Sequence, residues 1–170
     1  MRHTLGVPTE APEAIDKLAS RYGATVLRQG RDSGARRALS DADMFRDGLF
    51  AAAALLTALS RFDTTIEALD ASIPAFSTAT VEIPLAADRA AVMRALGASV
   101  PETSLSQTEG LRLNLGENTV HIAPLSTRRA IRIISEAASS EIAEDLCVEF
   151  SKRARLFAKK LPIAHSPQKT

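Results

Sequence analysis

Residues 121–146 read HIAPLSTRRAIRIISEAASSEIAEDL, and a change of period inside this stretch decides the fold. The segment Ala130–Glu136 is short and rich in isoleucine, which suits a pleated, half-buried surface and predicts a strand. From Ser140 the apolar residues fall at Ile142, Leu146 and Phe150, a helical stripe that predicts a helix to about Ala158 with Cys147 beside the stripe. Upstream, Thr119–Ala123 and Gly110–Leu115 read as two strands turned by Gly116, Glu117 and Asn118, and PLSTRR (residues 124–129) leads from this hairpin to the next strand. Further out, a strand over Thr78–Pro84 and a helix over Asp88–Leu96 precede a loose polar stretch that runs through Gln107. Strand, helix, three strands, helix is the order of an α+β fold.

The opening half has a different rhythm. A short apolar strand around Leu5–Val7 leads to Ala11, Pro12 and Glu13, where proline suits a first helical turn and the carboxylate suits the positive end of the helix dipole. Ile15, Leu18 and Ala19 carry that helix to about Tyr22, Gly23 stops it, and Ala24–Leu27 reads as the next strand, a βαβ-like start. RQGRDSGARRALSDAD, residues 28–43, is polar and arginine-rich and reads as a loop. Asp47 and Gly48 then lead into GLFAAAALLTALSR, whose alanine run with Leu55, Leu56 and Leu59 predicts a helix packed on more than one side. Thr64 and Glu67 stand at capping-box spacing before a short helix ending near Ile73 and Pro74, and Pro74–Ser77 is the candidate domain boundary.

A chain of 170 residues has room for one compact domain or two small ones. Area scaling implies burial of roughly 18,000 Å² on folding, and a hydrophobic content of 45% is enough to fill such a core. One cysteine excludes an internal disulfide, and His3, His121 and His165 are too scattered for a zinc site. Asp41, Asp43 and Asp47 fit no cation-loop spacing, so no metal is expected. No apolar run reaches the roughly eighteen residues of a membrane span, and MRHTLGVPTEAPEA lacks the apolar core of a secretory signal. A cytoplasmic location without a membrane partner is the expectation. With 21 basic and 20 acidic residues and 4% aromatics, the chain lacks the basic excess and stacking surfaces of a nucleic-acid binder. His121 is expected half-exposed on its strand, Cys147 as a small buried hydrophobe, and Arg153, Arg155, Lys159 and Lys160 as a solvated helix end.

Nothing in composition or periodicity names a reaction, but polar groups concentrate in two loops. Gln29–Gly34 reads either as a solvated surface loop or as one that meets sugar hydroxyls, since its glycines allow close approach while Asp32 and Ser33 offer hydrogen bonds. Ser126, Thr127, Arg128 and Arg129, with Arg132 beyond, read either as a solvated loop or as a phosphate site, because guanidinium forks match paired phosphate oxygens.

In order and wording these segments resemble the C-terminal part of the α-D-phosphohexomutases, the family of phosphomannomutase, phosphoglucomutase and phosphoglucosamine mutase. PTEAPEAIDKLASRYGATVLR (residues 8–28) is similar to the helix and strand that open the family's third domain. GRDSGA (residues 30–35) resembles the sugar-recognition motif GExSGH, and SDADMFRDGLFAAAALLTAL the stretch after it. TTIEALDASIPAF, VMRALG and EGLRLNL resemble fourth-domain segments, and the stretch at residues 121–146 resembles the family's phosphate loop RPSGTEPxxR with the strand and final helix that follow. The resemblance implies a truncated third-domain, sugar-binding remnant over residues 1–75 and a phosphate-loop domain over residues 76–160; residues 161–170, with two prolines and polar residues, read as a flexible tail. It also implies that the second part is a TATA-box-binding-protein-like sheet with two helices on one face.

The departures shape the functional expectation. Ala123, Leu125, Ser126, Arg128 and Arg129 stand where the family motif has arginine, serine, glycine, glutamate and proline, while Pro124, Thr127 and Arg132 remain. Gly30, Ser33 and Gly34 survive in the sugar motif, but Arg31 replaces its glutamate and Ala35 its histidine, which reverses the sign of the contact. The phosphoserine loop and the magnesium loop DGDxDR occur nowhere in these residues, so no catalytic residue and no magnesium cofactor are assigned. Three readings stay open. The chain is a phosphate- or phosphosugar-binding pseudoenzyme with Ser126, Thr127, Arg128, Arg129 and Arg132 on the phosphate and Gly30, Arg31, Asp32, Ser33 and Gly34 on the sugar; or the recognition subunit of a split mutase; or an assembly module. An incomplete βαβ unit leaves sheet edges and the alanine/leucine helix uncovered, so a homodimer is expected.

Overall fold

In a computed structural model the described residues are 3–29, 32–40, 47–101, 105–106 and 110–161. They form two compact units, Met1–Ala75 and Phe76–Thr170. In the first, β1 (Thr4–Val7) and β2 (Thr25–Arg28) pair in parallel across helix α1 (Ala14–Arg21), with Thr4 opposite Thr25 and Val7 opposite Arg28. Gly23, at φ +66°, turns the chain out of α1 and into β2.

Arg28 locks this unit together. It is 1% exposed, and its Nη1 donates to Ala11 O (2.5 Å) while Nη2 donates to Pro12 O (3.1 Å) and pairs with Asp16. A buried guanidinium is tolerated here because carbonyls and a carboxylate from the start of α1 take up its charge and its Nη1 and Nη2 donors.

Residues 35–40, read above as loop, form helix α2 (Ala35–Ser40). Gly34 at φ +83° turns the chain, and Ala38 N donates to Gly34 O (2.9 Å), so the helix begins directly behind the glycine. Helix α3 (Gly48–Arg61) is capped by Asp47, whose Oδ1 accepts from Leu49 N and Phe50 N. The expected packing on more than one side is not observed. No α3 residue is buried, and Leu49 and Leu56 are 81% and 65% exposed.

Helix α4 (Ile66–Ser72) is capped by Thr65, one residue later than the predicted Thr64, through Ala68 N (3.2 Å). Hydrogen bonds from its own backbone amide and from Thr65 hold the exposed Glu67 carboxyl below its ordinary value. Its contribution to α4 is therefore present above the ordinary carboxylate range and lost as pH falls through the lowered value. Among the described residues no single helix is long and apolar enough to cross a membrane.

The second unit is an antiparallel sheet of β3 (Ser77–Pro84), β4 (Leu105–Ser106), β5 (Leu111–Leu115), β6 (Asn118–Pro124) and β7 (Ala130–Ala137), in spatial order β3-β7-β6-β5-β4. The two-residue β4 lies in the stretch read above as loose and polar. Asn118 pairs with Leu115, so the hairpin turn contains Gly116, at φ +72°, and Glu117, with Asn118 already in the strand. Gly110 has φ +125°, and a Cβ there would lie 2.4 Å from Ile122 O, so only glycine lets β5 start against β6.

Alternation sends Ile83, Leu113, Val120, Ile122, Ile131 and Ile133 to one face. There they join Val92 and Leu96 of helix α5 (Arg89–Ala98) and Cys147 and Phe150 of helix α6 (Ser140–Lys160) in one core. Both helices thus cover the same face. The buried stripe of α6 is Ala143, Cys147, Phe150, Ser151 and Ala154. Ile142, expected on it, is exposed. Small residues face the sheet because its isoleucines already fill the gap, and Ser135 Oγ donates to Ala143 O (2.5 Å) where helix and strand approach closely. Cys147 is buried, with its thiol against Ala79 O (3.4 Å) and Ser135 Oγ (3.2 Å).

Candidate functional site

The loop between β6 and β7 carries Ser126, Thr127, Arg128 and Arg129, all exposed, and Arg132 follows two residues into β7. Backbone hydrogen bonds define its shape: Leu125 N donates to Ala130 O (2.9 Å), Ala130 N to Arg128 O (2.8 Å), and Leu85 N to Arg129 O (2.9 Å). Arg89, at the start of α5, braces it by donating from Nη1 to Leu125 O and to Arg128 O (3.0 Å). The N-terminus of α5 is capped by Asp88, which accepts from Ala90 N and Ala91 N (both 3.2 Å).

Two of the five loop candidates share one acidic partner. Glu82 on β3 stands directly opposite Arg132 on β7, on the sheet face away from the helices. Its Oε1 accepts from Arg132 Nε (3.2 Å) and Nη2 (3.1 Å), and its Oε2 pairs with Arg128 Nη2. Arg132 is in turn opposite Ala123 on β6, where the family motif has an arginine. Neither Glu82 nor Arg89 was singled out in the sequence, although Glu82 is the sole charge in the strand STATVEIP.

Arg89 also lines an open cavity of about 830 Å³ on the helix side of the sheet, together with Asp88, Met93, Arg94, Leu111 and Pro124. The loop thus lies between an amphipathic hollow and the Glu82 carboxylate.

Of the sugar-loop candidates, Gly30 and Arg31 lie outside the described residues, as do Asp41 and Asp43 and the tail residues 162–170. Asp32 is engaged in the turn after β2: its Oδ2 accepts from Arg28 N (2.7 Å) and its N donates to Arg28 O (3.0 Å). Ser33 and Gly34 are exposed at the head of α2. His121, expected half-exposed, is 5% exposed, in register with Arg112 on β5 and Ile134 on β7. Lys159, Lys160 and Arg155 are exposed, while Arg153 pairs with Glu149 and lies 5.0 Å from the Phe150 ring centre. Among the described residues no three His, Cys, Asp or Glu side chains gather as a metal site requires.

The fold is mixed α and β of the α+β kind. It is similar to that of a phosphoglucomutase/phosphomannomutase family protein from Burkholderia thailandensis, known from an X-ray crystal structure, at a TM-score of 0.67 and 14% sequence identity, over 96% of this chain. At that identity the likeness is one of fold. This chain spans 40% of the length of that protein. No protein-family model matches the sequence, and no curated protein matches it significantly.

Proposed function

We propose that the second unit binds the phosphate group of a small phosphate monoester, of the phosphosugar class, at residues 126–132, and that these residues have no mutase activity of their own. The observation that carries this reading is the loop between β6 and β7, on which exposed Ser126, Thr127, Arg128 and Arg129 follow one another and whose Arg128 shares the Glu82 carboxylate with Arg132. Guanidinium groups offer paired donors that match phosphate oxygens, and several cations at one site favour a dianion over a neutral sugar. The fold likeness supports the phosphosugar class and the assignment of the second unit as a fourth-domain counterpart.

A ligand that binds the folded state alone must raise its stability, by about 2.7 kcal/mol at one hundred times its Kd. Heat unfolding followed with increasing glucose 6-phosphate is expected to show a rising midpoint, and the double variant Arg128→Gln/Arg132→Gln to lose that rise. A midpoint that does not move up to tens of millimolar contradicts the reading. Interconversion of a hexose 1-phosphate by the purified chain would contradict the absence of independent activity.

Helix α3 favours a second proposal, that two copies pair. Leu49, Phe50, Leu55, Leu56 and Phe62 are all more than 40% exposed, and Ile66 and Ile73 extend the apolar surface across α4. A twofold contact places the same patch on both partners, so an apolar helix can cover its own copy. Sedimentation is expected to give a dimer that Leu56→Glu converts to monomer; a wild-type monomer at the highest workable concentration contradicts this.

A further inference from the structure

We infer that Glu82 is a built-in competitor for the anion site, so that Arg128 and Arg132 engage a ligand only when it displaces this carboxylate. The inference rests on the phosphate-monoester reading of residues 126–132 and concerns which anions that site admits.

Both oxygens of Glu82 are in use, Oε1 on Arg132 Nε and Nη2 and Oε2 on Arg128 Nη2. One carboxylate therefore takes two donors of Arg132 and one of Arg128, in the way two oxygens of a phosphate would. The contact is held by sheet register, since Glu82 and Arg132 are directly opposed residues of paired strands. It is also accessible: the side chains of Glu82, Arg132 and Arg128 are 29%, 34% and 63% exposed. A ligand can reach all three without opening the core.

Chemistry then decides what displaces the carboxylate. A tethered group competes at high effective concentration, and a free carboxylate brings the same single charge on the same two oxygens, so it has no advantage over Glu82. A phosphate monoester brings close to two charges on three oxygens and gains where the carboxylate only exchanges. Glu82 thus excludes monoanions at ordinary concentrations and leaves the site to phosphate monoesters. The fold does not need the charge at this position. The residues of β3 that face the helices are Ala79, Val81 and Ile83, and an exposed cross-strand ion pair contributes little.

Calorimetric titration of the full chain with glucose 6-phosphate and with glucuronate tests this, because the two share a sugar ring and differ in the anion. Wild type is expected to bind glucose 6-phosphate and not glucuronate. Glu82→Gln is expected to bind glucose 6-phosphate about two- to fivefold more tightly, the worth of a partly exposed ion pair, and to bind glucuronate measurably. A folded Glu82→Gln chain that binds glucose 6-phosphate no more tightly than wild type overturns the inference and leaves the phosphate site standing. Absence of binding by wild type and by Glu82→Gln removes the phosphate site and the inference together. Should Glu82→Gln fail to fold, Glu82→Asp carries the test, since its shorter reach cannot hold both arginines: tighter binding than wild type supports competition, and unchanged binding overturns it.

Discussion

Phe150→Ala is expected to lower the unfolding free energy of the second unit by about 3–5 kcal/mol, the usual loss when a buried aromatic ring is truncated. Phe150 is 2% exposed and lies in one core cluster with Val92 and Leu96 of α5 and Ile131 and Ile133 of β7. Two losses coincide: the apolar area returns to water, and a cavity remains because β7 is held in register by strands on both sides. Removing the ring also takes away the aromatic face under the Arg153 guanidinium, which keeps its pair with Glu149. A urea midpoint that falls with an unchanged slope would report it. Leu156→Ala on the same helix is the control; Leu156 is 50% exposed and its truncation should cost under about 0.5 kcal/mol. Equal effects of the two substitutions would mean that α6 does not dock by its 143/147/150/154 stripe.

Arg28→Ala is expected to cost the first unit about 2–4 kcal/mol. It leaves Ala11 O and Pro12 O without the donors they accept from and leaves Asp16 beside no cation. Asp16 is 29% exposed and partly recovers its hydration, which keeps the figure below that of a fully buried broken pair. Arg28→Lys should recover less than half, because one ammonium cannot span two carbonyls and a carboxylate. Hydrogen exchange at Thr25–Arg28 reads the loss directly, since those amides belong to the unit that Arg28 closes. Protection in the alanine variant equal to wild type would show that the arginine is incidental.

The sheet of the second unit was legible because its strands are short and rich in β-branched residues and a glycine turn sets the hairpin: in β7, Ile131 and Ile133 turn inward and Arg132 outward, and Gly116 and Glu117 form the turn. What escaped the sequence has physical causes. β4 is too short to show a period, and it exists through its pairing with Leu113 and Arg112. Helix α2 was hidden because GRDSGARR has the polarity of a loop, while the glycine that suggests a break in fact starts the helix. On α6, apolarity and burial part company, with Ile142 outside and Ala143 inside, since shape against the isoleucine face matters more than hydrophobicity there. The alanine run of α3 correctly gives a helix but not a covering. At the candidate site the arginines were legible as a cluster. Their counter-charge was not, because Glu82 lies 46 residues before Arg128 and only the β3–β7 pairing brings the two together.

The most direct test follows the backbone amides of the second unit by NMR as glucose 6-phosphate is added. Saturable shifts confined to Ser126–Arg129, Arg132 and the facing Glu82 are the predicted result; shifts spread evenly over the surface, or none at the loop at saturating ligand, would contradict an anion site there.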